Sequence, residues 1–264
     1  MEVEEENISY QHLLASDIDG TLLRDGEATP GLKALKRLIA AHRDNVALVY
    51  ATGRSFASTI GLVESGILPK PQAIASFVGT EIWMPAWHRS VGYQTAVESD
   101  WRPEEILYWA KKVFRLRLQE PEFQSDWKLS FYLDSHAAVF DLRAFLQSKR
   151  ISARVIYSCG KYLDIIPHQA GKANAVRFLR NTWRVVPQNV LTCGDSGNDI
   201  DMLTAPRTCN VAVGNLEGEL ERLSDQGHFY VAELPYAGGV LEGAAAFDFW
   251  PRLDVNPKSQ DTSA

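Results

Sequence analysis

The sequence predicts an α/β fold: a doubly wound, Rossmann-like core on a parallel sheet, with a smaller α+β cap domain inserted into it. Three observations predict it. Short strands that are apolar on both faces alternate with helical stretches, as in a parallel sheet covered on both sides. Three of those strands break off into polar clusters, Asp17/Asp19, Thr52 and Asp195/Asp199. In an open parallel sheet, ligands sit at the carboxyl ends of the strands, so these clusters should converge. Between the two alternating halves the texture changes, and residues 83–127 hold five of the seven tryptophans.

Leu13-Leu14-Ala15-Ser16 reads as a buried strand ending at Asp17-Ile18-Asp19-Gly20-Thr21, with Gly20 suited to the turn that follows. Thr29-Pro30 opens a helix with Pro30 near its first turn, and Leu32, Leu35, Leu38 and Ile39 form its apolar stripe. Residues 46–51 are a second apolar strand, ending in Thr52-Gly53-Arg54. A helix with Ile60 and Val63 inward leads to a third strand near Ala73 to Phe77. In the second half, Gly171 to about Thr182 reads as a helix and Asn189 to Cys193 as a strand that stops at Gly194-Asp195-Ser196-Gly197-Asn198-Asp199. A short helix with Met202 and Leu203, a strand from Cys209 to Val213, pieces near 216–223 and 229–231, and a helix to Phe247 complete it. In the middle, strands are expected at 128–134, 153–158 and 162–166, with a helix at 137–147. The expected division is a discontinuous core at 1–84 and 167–250, a cap at 85–166, and a disordered tail at 251–264 that is polar and lacks periodicity.

The 264 residues carry 27 basic and 33 acidic side chains, a formal net charge of −6, which argues against nucleic acid as a partner. No apolar run approaches the ~20 residues of a membrane span, so no membrane partner is expected. The acidic start, Met1-Glu2-Val3-Glu4-Glu5-Glu6, is the opposite of a signal peptide and predicts a cytoplasmic protein. Cys159, Cys193 and Cys209 form no CxxC pair and the six histidines no metal-binding spacing, which argues against a disulfide framework or a zinc site.

Asp17 and Asp19 stand two apart in extended chain and should lean to one side. Close carboxylates repel unless a cation neutralises them. With Asp195 they make a hard oxygen site suited to Mg²⁺. A phosphate ester needs its charge offset, an in-line nucleophile and a proton for the leaving oxygen. An aspartate can be the nucleophile, and a second carboxyl the acid and later the base. Each signal is weak alone. Thr-Gly after a strand is a common turn, and a lysine near a helix start, such as Lys172, is by default solvated. Asp199 could instead cap a helix start. A calcium loop counted from Asp17 would need Gly and Glu at positions six and twelve, where Leu22 and Ala28 stand.

In order, Asp17-x-Asp19-Gly20-Thr21, Thr52, Lys172 and Gly194-Asp195-x-x-Asn198-Asp199 resemble the four motifs of the haloacid dehalogenase superfamily phosphatases. The resemblance implies Asp17 as nucleophile, Asp19 as acid/base, Thr52 on the phosphoryl oxygens, and Lys172 neutralising the intermediate. It implies a Mg²⁺ site from Asp17, the Asp19 carbonyl and Asp195, with Asn198 and Asp199 completing or orienting it. The stretches 49–54, 78–82, 128–132, 160–167 and 170–175 are similar to the sucrose-phosphate phosphatase group. On that likeness Gly53, Arg54 and Asn198 are expected near substrate, and Lys128, Ser130, Gly160 and Lys161 are the candidate sugar contacts.

Sucrose-specific members of that group often carry Asn or His where this chain has Gly20, so the resemblance implies sugar-phosphate hydrolysis rather than strict sucrose specificity. The expected substrate is a phosphorylated disaccharide, sucrose 6-phosphate ahead of mannosylfructose phosphate. Rival readings are a broad phosphatase of monosaccharide or cofactor phosphates, a phosphosugar mutase, and a non-catalytic sugar-phosphate sensor or partner of a glycosyltransferase.

Overall fold

The computed structural model describes residues 9–252. The acidic lead and all but the first two residues of the expected tail lie outside the described residues. In chain order come β1 (His12–Ser16), a hairpin of β2 (Leu23–Arg24) and β3 (Glu27–Ala28), α1 (Leu32–Ala41), β4 (Val46–Ala51), α2 (Phe56–Glu64), β5 (Ala73–Ser76), β6 (Glu81–Met84), β7 (His88–Arg89) and α3 (Val91–Glu98). The middle adds α4 (Pro103–Lys112), β8 (Arg117–Leu118), β9 (Leu129–Tyr132), α5 (His136–Ser148), β10 (Ala153–Ser158) and β11 (Tyr162–Pro167). The chain then returns through α6 (Lys172–Thr182), β12 (Val190–Gly194), α7 (Ile200–Leu203), β13 (Cys209–Ala212), α8 (Gly218–Ser224), β14 (Tyr230–Val231) and α9 (Tyr236–Ala246).

The large sheet has the order β14-β13-β12-β1-β4-β5-β6-β7. The pairings from β14 to β5 are parallel, and β6 and β7 are added antiparallel. Alternation along the strands feeds both faces. Leu13, Ala15, Ala47 and Val49 pack one way, against Val176 and Leu179 of α6. Leu14, Leu48, Tyr50 and Ile74 pack the other way, against Leu35 of α1 and Val240 of α9. This is the expected doubly wound core. A separate antiparallel sheet, β10-β11-β9-β8, is covered by α4 and α5.

Two local differences have physical reasons. Helix α1 starts at Leu32 rather than at Pro30, because Gly31 sits at φ 90°. A Cβ there would lie 2.9 Å from the Gly238 nitrogen, so α9 approaches too closely for any other residue. Residues 88–98 fall inside the expected cap, yet β7 pairs with β6, and Tyr93 and Val97 pack on the large sheet.

Candidate active site

The site is built at the carboxyl ends of β1, β4 and β12, joined by the start of α6. Asp17 directly follows β1, is buried, and donates its backbone N–H to the Cys193 carbonyl at 2.9 Å, tying β1 to β12. Lys172, the first residue of α6, is fully buried. Its Nζ lies 3.1 Å from Asp17 Oδ1 and 2.7 Å from Asp199 Oδ1. The other oxygen of Asp199, Oδ2, accepts the backbone N–H groups of Asp195 at 3.1 Å and Ser196 at 3.2 Å. Thr21 donates its hydroxyl to Asp195 Oδ1 at 2.7 Å.

Oxygens of Asp17, Asp195 and Asp199 all lie within 4.8 Å of one another, and all three residues are buried. The cluster holds three carboxylates, and the one ammonium beside it pairs with two of them, Asp17 and Asp199. Burial pushes the Asp17 carboxyl up to about 7, with the charges of Asp199 and Asp19 adding to the rise and Lys172 opposing it. Asp195 is driven well above the ordinary carboxylate range, by burial first and then by Asp199 and Asp17. Burial works against the Lys172 ammonium, but the two aspartates outweigh it and raise its pKa. Asp17 Oδ1 accepts no well-directed hydrogen bond among the described residues. A Cβ on Gly20, at φ 78°, would sit 2.1 Å from Asp195 Oδ2. Gly20 therefore leaves the room that this carboxylate occupies. Surplus negative charge, hard oxygen donors and an orphaned acceptor fit a divalent cation.

The carboxylate of Asp19 does not join this cluster. It is half exposed and forms a two-pronged pair with Arg54, whose Nε and Nη2 each lie 2.6 Å from one of its oxygens. The expected common orientation with Asp17 gives way to that pair. Thr52 is fully buried behind it, and its hydroxyl accepts the Arg54 N–H at 3.2 Å. The loop is clamped by a turn at Phe77 and Val78, both left-handed at φ 47° and 61°. Their N–H groups bond the carbonyls of Arg54 and Thr52 at 2.8 Å each. A left-handed β-branched residue costs about 1–3 kcal/mol and persists only where its surroundings enforce it.

Asp17, Asp19, Gly53, Arg54, Asp195 and Asn198 line the core side of a cavity of about 640 Å³. Its roof comes from the second sheet and the 121–128 segment before β9, and includes Phe123, Lys128, Tyr132, Tyr162 and Asp164. Lys128 is buried and reaches Asp164 Oδ1 at 3.1 Å, while Ser130 donates to the same oxygen at 2.6 Å. Of the four candidate sugar contacts, only Lys128 lines the cavity. Ser130 lies fully buried beneath it. Gly160 and Lys161 occupy the exposed β10–β11 turn outside the lining: Gly160 donates its N–H to Glu219 Oε1 at 3.2 Å, and the Lys161 ammonium lies over the Tyr162 ring. None of the five mid-chain tryptophans lines the cavity. Trp83 and Trp87 pack on Phe56 of α2 instead.

Sequence reasoning passed over Asn215 and Glu217, which follow β13 and also line the cavity. Asn215 donates to the Gly20 carbonyl at 2.8 Å and accepts the Tyr236 N–H, bracing the loop after β1. The available signal was the strand-end rule itself, since β13 is a parallel strand like β1 and β12.

A family model described as sucrose-6F-phosphate phosphohydrolase matches residues 10–248. The chain belongs to that family. It is accordingly a phosphoric monoester hydrolase of the haloacid dehalogenase type. It is 31% identical to the mannosylfructose-phosphate phosphatase of Agrobacterium fabrum, over 91% of this chain and 98% of that one. A sucrose-phosphatase from Synechocystis, solved in complex with sucrose and phosphate, superposes with a TM-score of 0.85 at 32% identity, covering 92% of this chain and all of that one. The probable sucrose-phosphatase 3a of Arabidopsis thaliana is 28% identical over 93% of this chain. This chain spans only 61% of that plant protein's length.

Proposed function

We propose that the protein is a Mg²⁺-dependent phosphatase of a phosphorylated disaccharide, working through an aspartyl-phosphate on Asp17. The observation that carries the reading is the buried group of Asp17, Lys172, Asp195 and Asp199, of which Asp17 and Asp195 open onto the floor of a two-walled cavity. The disaccharide comes from the relatives, named for sucrose phosphate and mannosylfructose phosphate. The roof supports it, since a cavity of about 640 Å³ with Lys128, Asp164 and aromatic side chains above the carboxylates has room for two sugar rings.

The mechanism follows from the residues. Asp17, the only one of the three clustered carboxylates that directly follows β1, attacks phosphorus. Its orphaned Oδ1 has the ammonium of Lys172 beside it, which offsets the charge that gathers on the transferring group. Thr52 holds a phosphoryl oxygen at the end of β4. Asp19 stands at the cavity wall, where turning away from Arg54 brings its carboxyl to the leaving sugar oxygen. It donates a proton there, breaking the P–O bond to the sugar, and later takes a proton from the water that splits the Asp17–phosphoryl bond. Mg²⁺, held by Asp17 and Asp195 and oriented through Asp199, would supply charge neutralisation for the phosphoryl oxygens. Closure of the second sheet over the floor excludes bulk water.

The test is phosphate release from a panel of sucrose 6-phosphate, mannosylfructose phosphate, glucose 6-phosphate, pyridoxal phosphate and flavin mononucleotide, with and without Mg²⁺. The disaccharide phosphates should lead in kcat/KM, and chelation should abolish turnover. Equal rates on the monosaccharide or cofactor phosphates would defeat the substrate assignment.

A further inference from the structure

A second cavity, of about 650 Å³, opens between the two units along α5 and β10 on one side and residues 197–204 with α8 on the other. The mechanism above makes no use of it. Its lining brings three arginines, Arg143, Arg154 and Arg222, against two carboxylates, Asp201 and Glu219. Each carboxylate has a partner, although Asp201 Oδ1 has none among the described residues. Asp201 Oδ2 pairs with Arg154 at 3.0 Å and accepts the Ala173 N–H at 3.2 Å. Glu219 accepts the Gly160 N–H at 3.2 Å.

Arg143 gives one N–H to the Val155 carbonyl at 2.7 Å, out of the five that a guanidinium carries. Burial first, and then the charge of nearby Arg154, press its pKa below the ordinary value. His136 and His168 line the same cavity. In a chain of net charge −6 this is a local surplus of cations with unspent donors.

We propose that this cavity is a second ligand site, taking a phosphorylated small molecule whose phosphate lies between Arg143 and Arg154. A tetrahedral dianion can accept from two forks that arrive from different directions. The volume matches that of the front cavity, which suits a sugar phosphate or similar metabolite rather than a bare ion.

Two features tie the site to the floor of the front cavity. Asn198 lines both spaces. Arg154 also donates to the Ala170 carbonyl at 2.7 Å, and a Cβ on Gly171 would lie 2.3 Å from its Nη1, so this side chain is packed against the residue before Lys172. A ligand that draws on Arg154 therefore acts on the frame holding Lys172, and alters kcat without competing with substrate.

The probe is inorganic phosphate, titrated by calorimetry into the Mg²⁺-loaded protein. Two phosphates per chain are expected, one at each cavity. Arg143→Gln should weaken one of them about tenfold or more, the loss of charge-assisted hydrogen bonds, while the competitive inhibition constant of phosphate at the front cavity stays unchanged. Arg143→Lys, which keeps the charge and loses the fork, should give a smaller loss at the same site and serves where the Gln variant does not fold. One phosphate per chain in the unmodified protein overturns the proposal. So do two phosphates whose affinities Arg143 substitution leaves alone. The count needs no turnover, so it stands apart from the substrate assignment.

Discussion

Replacing Lys172 by methionine keeps the volume of the side chain and removes its charge. The ammonium is fully buried and sits 3.1 Å from one carboxylate and 2.7 Å from another. Breaking a buried ion pair by deleting one partner costs about 3–5 kcal/mol, because the remaining charge is left unsolvated. In a domain of this size that lowers the melting temperature by on the order of 10 °C. The loss should depend on pH, and the sign can be worked out. Asp17 already rises from 3.8 to about 7 on folding, so in the ion-free protein its proton favours the folded state. That contribution is complete below 3.8 and is lost as pH rises through 7.

Without Lys172 the Asp17 carboxyl rises further, and the proton it keeps at pH 6 spares the folded state part of the damage. The destabilisation should therefore be larger at pH 8 than at pH 6, by up to roughly 1.4 kcal/mol in all, because the parent carboxyl itself titrates near 7. Urea unfolding of both proteins at the two pH values, with chelator present, measures it. A methionine variant as stable as the parent, or a loss equal at both pH values, would refute the electrostatic account of the floor. Phosphatase activity of the variant should fall about 10²–10³-fold, as expected for a lost transition-state cation.

Three further outcomes follow from the same geometry. Magnesium should bind more tightly at pH 8 than at pH 6, by about tenfold from the proton on Asp17 that titrates near 7 and by more from Asp195, whose carboxyl is also raised; calorimetry that finds no pH dependence would count against Asp17 as a ligand. Asp19→Asn should cut kcat by about 10²–10⁴ and leave the melting temperature within a degree or two, because the side chain is half exposed; an unchanged kcat would remove the proton-transfer role. Lys128→Met should raise KM for a disaccharide phosphate more than for p-nitrophenyl phosphate, as Lys128 lies on the roof over the floor carboxylates; equal changes would remove it from sugar recognition.

Much of the floor was legible in the sequence, and the reason is topological. In a parallel sheet every strand delivers its following residue to one edge, so Asp17, Thr52 and Asp195 had to meet once the strands were recognised. Strands such as Val46–Ala51, buried at every position, gave an unambiguous signal. Asp199 fell in the polar cluster after β12, whereas Lys172 was placed by resemblance, since a lysine near a helix start is by default solvated. The side chain of Asp19 was not legible, because its direction is set by Arg54, 35 residues away in sequence.

The roof was harder to read. Alternation along Leu129–Tyr132 tells which residues share a face, but not which face meets the floor. Ser130 therefore turned out to be buried beneath Lys128, and the Gly160–Lys161 turn to point elsewhere. The tryptophans marked a change of texture without marking a ligand site, since a large ring fills a small unit's core as readily as it meets a sugar. The Phe77–Val78 turn left only Gly79 as a trace. A Cβ on Gly79 would lie 2.6 Å from the Gly171 backbone, which is why a compact residue stands there.

The account rests on a covalent bond between Asp17 and the phosphoryl group, formed with the ion present. Acid quenching of a single turnover of sucrose 6-phosphate, followed by peptide mass spectrometry, looks for it directly. The expected result is a phosphoryl group on Asp17 that requires Mg²⁺ and is absent from Asp17→Asn. Turnover at an undiminished rate by Asp17→Asn, or a phosphoryl group on a different residue, would contradict it.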